Sequence, residues 1–84
     1  MKKISIAAKL PVIFLKEDSD FVAYSPVLDL STVGATHEEA KKRFAEAVNL
    51  YFEETLQNGT LEETLLKKGW KKEAGEYRPP VLVA

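Results

Sequence analysis

The chain has 84 residues, 45% hydrophobic and 30% charged. That balance fits one small globular domain over residues 1–84 and excludes a disordered segment. No apolar run exceeds four residues, which is too short for a transmembrane helix. The absence of cysteine removes disulfides, thiol nucleophiles and thiolate-bound metals. Twelve lysines and arginines against thirteen aspartates and glutamates leave a net charge of −1, whereas nucleic-acid binders of this size are usually basic.

The first third reads as strand. Ile4, Ile6, Ala8 and Leu10 alternate with Ser5, Ala7 and Lys9, the period of a sheet with one wetter face. Pro11 marks an edge, bulge or break, since it donates nothing to a ladder. Val12-Ile13-Phe14-Leu15 is apolar on both faces and is expected centrally or under a second layer. Residues 16–20 form a polar hairpin loop. Phe21 to Tyr24 is a second strand, Leu28 to Val33 a third, and Gly34 ends it with a sharp exit.

The period then changes. Thr36-His37-Glu38-Glu39 is a capping box. Ala40, Phe44, Ala47, Val48, Tyr51 and Thr55 make the apolar stripe of a helix running to about Asn58, with Gly59 as its left-handed stop. Thr60-Leu61-Glu62-Glu63 is a second capping box, opening a short helix that carries Leu61 and Leu65 and ends at Gly69. Trp70 to Arg78 reads as a hairpin turning at Ala74-Gly75, with Trp70 and Tyr77 as cross-strand partners. Pro79-Pro80 forces an extended stretch, and Val81 to Val83 reads as a last strand, either in this chain's sheet or on the edge of a neighbour's. The expected class is α+β: an antiparallel sheet of three to four strands, one long helix and a short second helix.

The long helix carries more apolar surface than one sheet requires. Ala45, Phe52 and Leu56 lie to one side of the main stripe and Leu50 to the other. Two readings stand open: a helix sunk deep in the core, or the flank of a homodimer or higher oligomer, to which the 81–83 tail would add.

Catalysis has little to work with. His37, the one histidine, falls in a first helical turn and reads as an exposed polar residue. Ser25, Ser31 and Thr32 have no recognisable base beside them. Asp18, Asp20 and Asp29 suit turn chemistry better than a metal site. Charge is more informative. His37 to Glu63 holds three cations and seven anions, a net −4, and Lys67 to Arg78 holds five cations and two anions, a net +3. One reading is a solvated helical face with lysines that complement helix ends. The other is an acidic surface for a basic partner, built on Glu46, Glu53 and Glu54 with Phe52 and Leu56. A third makes Lys67, Lys68, Lys71 and Lys72, with Trp70, a nucleic-acid contact.

The ordered set Phe21-Val22-Ala23-Tyr24-Ser25-Pro26-Val27-Leu28, Gly34-Ala35-Thr36, Glu38-Glu39-Ala40, Phe44, Glu46-Ala47, Tyr51-Phe52-Glu53-Glu54, Gly59-Thr60-Leu61-Glu62 and Gly69-Trp70 resembles the HicB-like antitoxin family. Asp29-Leu30 stands where a Pro-Gly pair is common in that family, and Ala35 where an aspartate is frequent. The resemblance implies a β-β-β-α-β core like a truncated ribonuclease H fold. It also implies a partner: a small basic HicA-type toxin that cleaves mRNA and is inhibited by direct binding. Many members add a DNA-binding segment after this core; ending at Ala84, the chain is not expected to carry one. The expected protein is thus a cytoplasmic, non-enzymatic antitoxin without cofactor. An orphan nucleic-acid-binding or regulatory module of the same fold is the alternative. A residual ribonuclease H activity needs convergent carboxylates on strands, which these strands hardly offer.

Overall fold

The computed structural model describes residues 10–81. Of the strand expected over Ile4 to Leu10, all but Leu10 lies outside the described residues, as do the tail residues Leu82 and Val83; Leu10 and Val81 belong to no strand. The chain is α+β. Strands β1 (Ile13–Glu17), β2 (Asp20–Ser25) and β3 (Leu30–Gly34) precede helices α1 (His37–Gln57) and α2 (Leu61–Lys67), and β4 (Lys71–Glu73) and β5 (Glu76–Arg78) follow. β1-β2-β3 form an antiparallel sheet in chain order, and β4-β5 form a separate two-stranded sheet. Among the described residues the main sheet has three strands, and the hairpin expected over Trp70 to Arg78 stands apart from it.

Register divides the large sheet into two faces. Ile13 pairs with Tyr24 and Leu15 with Val22; Val22 pairs with Val33 and Tyr24 with Ser31. These residues share the outer face, because side chains alternate along a strand and cross-strand partners lie on one side. The inner face carries Phe14, Phe21, Ala23 and Leu30, packed with Val12 around Ala40 and Phe44 of α1. β1 is a flanking strand of the described sheet, not a central one: Ile13 and Leu15 are 44% and 51% exposed. The apolar run 12–15 thus covers only one of its two faces.

α1 begins with half of its capping box: Thr36 Oγ1 accepts from the Glu39 amide at 3.1 Å, while the Glu39 carboxylate turns to Arg43 instead of reaching back to the Thr36 amide. Gly34 does not serve through a left-handed exit. A Cβ there would stand 2.5 Å from the Ala40 nitrogen and 2.9 Å from the Glu39 carbonyl carbon, so glycine lets α1 start directly against β3. Thr32 Oγ1 ties the same approach by donating to the Ala40 carbonyl.

α1 ends in a Schellman motif. The Gly59 amide bonds the Leu56 carbonyl and the Thr60 amide bonds the Thr55 carbonyl at 2.9 Å, with Gly59 at φ +69°. Thr60 is thereby committed to closing α1. Its backbone (φ −109°, ψ 4°) lies outside the extended region of an N-cap, and its side chain makes no cap bond, so the second capping box fails. α2 closes the same way, through Gly69 N–H to Leu66 and Trp70 N–H to Leu65. That motif brings Trp70 onto Leu65, and both join Val27, Leu28 and Leu61 in a second core cluster. Leu28 enters it from the 26–29 turn rather than from the expected third strand. Trp70 is consequently not the cross-strand partner of Tyr77, which pairs with Lys72. The turn at Ala74-Gly75, both at positive φ (50° and 81°), has type I′ geometry.

Candidate partner-binding surfaces

α1 has one buried stripe and one exposed strip. Ala40 and Phe44 are buried, and Val48 and Tyr51 are half-buried. Glu46, Glu53 and Glu54 are all exposed. They stand four residues before, and three and four residues after, Leu50, so they are its helical-surface neighbours. Leu50 is 55% exposed. The strip is therefore an apolar side chain ringed by three carboxylates. Nearer the N-terminus the acids are balanced: Glu39 meets the Arg43 guanidinium at 2.9 Å, and Arg43 also donates to the Val33 carbonyl at 3.0 Å.

Phe52 and Leu56 do not belong to that strip. Both are half-buried and pack on the Val27–Leu28–Leu61–Leu65–Trp70 cluster. That part of the surplus apolar surface is taken up by α2 and the 26–29 turn, elements whose position sequence spacing cannot reveal, while Ala45 and Leu50 stay exposed.

The cationic segment is largely neutralised. Lys67 pairs with Glu63 at 3.1 Å, Lys72 with Glu62 at 3.4 Å and Arg78 with Glu73 at 3.4 Å. The Glu62 charge, helped by Tyr77, holds the Lys72 ammonium above its ordinary range, and Lys72 lies 5.4 Å from the Tyr77 ring centre. Lys68 is half-buried and Lys71 exposed. Trp70, at 2% exposure, offers no ring for a base to stack on.

His37 is exposed, as expected, with its ring 4.2 Å from Phe14 and edge-on to Phe21 at 6.3 Å. Asp18 and Asp29 occupy turns at positive φ (53° and 52°). Asp29 accepts from the Tyr24 hydroxyl at 3.2 Å. Loss of hydration, followed by that hydrogen bond and the carboxylate charge, holds the Tyr24 phenol above its ordinary range. Among the described residues no three His, Asp or Glu side chains converge as metal ligands, and no helix is long and apolar enough to cross a membrane.

A second surface escapes sequence reading. The outer sheet face exposes Ile13, Leu15 and Val33 (48%) around half-buried Val22 and Tyr24. The signal is present as alternating apolar positions in three strands, but only the register shows that they adjoin. Compared with known proteins, the chain matches no family model, no curated protein and no solved structure.

Proposed function

We propose that this protein is a non-enzymatic, antitoxin-like binding module that neutralises a small basic mRNA-cleaving toxin of the HicA type by direct contact. The observation that carries the reading is the exposed strip Glu46–Leu50–Glu53–Glu54 on α1. A protein that grips RNA presents cations, and an acidic surface steers such a partner into contact. Leu50 supplies an apolar anchor inside the charged ring. The ordered likeness to HicB-like antitoxins supports the same reading.

The test is co-purification of this chain with the tagged product of the adjacent gene, then an RNA-cleavage assay with and without this chain. A stable complex that silences cleavage is expected. The triple change Glu46→Lys, Glu53→Lys and Glu54→Lys is expected to weaken it by about a hundredfold at low salt, mostly through slower association. A toxin that cleaves equally well in the presence of the chain overturns the reading.

A further inference from the structure

We propose that the outer face of the β1-β2-β3 sheet is a docking surface for a cationic, amphipathic protein segment lying across Leu15, Val22 and Val33. This surface lies opposite α1, so the proposal does not depend on the toxin reading, and both sides can be occupied together.

The face is an apolar stripe with acidic ends. Leu15, Val22 and Val33 form one continuous cross-strand row, and Ile13 and Tyr24 stand in the next. At the hairpin end Glu17 lies directly opposite Asp20, a like-charge pair that a sheet tolerates only at some loss of stability. At the other end Asp29 holds the Tyr24 hydroxyl. Among the described residues no cation stands on this face. Lys16 alternates to the inner side, its ammonium 5.8 Å from the Phe21 ring centre, and Arg43 is held at the β3 edge by Glu39 and the Val33 carbonyl.

Size and charge together select the occupant. Three strands of about five residues present a plane of roughly 17 by 14 Å, or about 240 Å². Two such faces bury far less than the roughly 1,200–2,000 Å² of a stable protein–protein interface. Face-packed sheets keep their strands nearly aligned, so either orientation of a second copy would set acidic end against acidic end. A single extended segment of five to seven residues covers that area as a weak, transient contact, and lysines or arginines flanking its apolar side chains match the acids at both ends, which a second copy does not.

The test uses the full chain, methyl-labelled for NMR, and a nonapeptide of alternating lysine and valine, with alternating glutamate and valine as the control. Shifts confined to the Leu15, Val22 and Val33 methyls are expected, with those of Leu50 unmoved. Affinity should fall about tenfold from 50 to 500 mM NaCl and be lost in Leu15→Lys and, independently, in Val33→Lys. No shift, or equal shifts with the acidic peptide, overturns the proposal. Overturning it also are a concentration-dependent dimer abolished by Leu15→Lys, which makes the occupant a second copy, and Overhauser contacts from Ile4 or Ile6 to Leu15 in the free chain, which make it the chain's own leading segment.

Discussion

The indole N–H of Trp70 donates to the Val27 carbonyl at 2.8 Å, across 43 positions and inside the core. This bond joins the 26–29 turn, which sets where β2 stops and β3 begins, to the end of α2. Trp70→Phe keeps most of the ring volume but leaves the Val27 carbonyl buried and unpaired. The expected loss is about 3 kcal/mol, combining an orphaned acceptor with a small cavity. The melting temperature should fall by about 12 °C or more, measured by thermal circular dichroism; a fall under about 4 °C would show that water replaces the indole.

The two capping boxes make opposite predictions from the same sequence pattern. Thr36→Ala removes a real cap bond to Glu39 and should cost about 1 kcal/mol. Thr60→Ala removes a side chain that caps nothing and should cost a few tenths at most. Urea denaturation of the two variants distinguishes them.

This contrast also marks what was legible in the chain. The Thr36 cap, the Gly59 and Gly69 stops and the Ala74-Gly75 turn depend on residues within a few positions of one another, and all appear as read. Thr60 failed because a single residue had to serve two helix ends. Trp70 was assigned to a hairpin because its partners, Val27 and Leu28, lie more than forty positions away. Among the interface candidates, Glu46, Glu53 and Glu54 could be placed by helical period alone. Phe52 and Leu56 could not, because α2 covers them. The outer-face row of Leu15, Val22 and Val33 required register, which no local pattern states.

Gly34→Ala tests the close approach of α1 to β3. The added methyl meets the Ala40 nitrogen and α-carbon and the Glu39 carbonyl carbon, all backbone atoms. The change should cost about 3 kcal/mol. Ala40→Gly should not rescue it, because trimming a side chain leaves those backbone atoms in place. Full rescue in the double variant would refute the geometry.

Tyr24 links the outer face to alkaline stability. Its phenol titrates above its ordinary value in the fold, so the fold favours the neutral form. That contribution is complete below the unfolded phenol pKa of about 10 and disappears as pH rises through the higher folded value. Asp29→Asn removes the acceptor charge and should lower the Tyr24 midpoint, read as phenolate absorbance against pH. Desolvation, the largest cause of the shift, should keep the midpoint from returning fully. An unchanged midpoint would mean that Asp29 contributes nothing.

The buried hydroxyls of Ser25 and Tyr51 have no hydrogen-bond partner among the described residues, and burial raises the Tyr51 phenol above its ordinary range. An unmet buried hydroxyl costs about 1–3 kcal/mol, and removing it relieves that loss. Ser25→Ala and Tyr51→Phe are therefore expected to stabilise the protein by about 1 kcal/mol each. That would raise the melting temperature by about 4–8 °C per substitution, opposite in sign to most core changes. A drop in either would mean that an internal water meets that hydroxyl, whose hydrogen bond the substitution breaks.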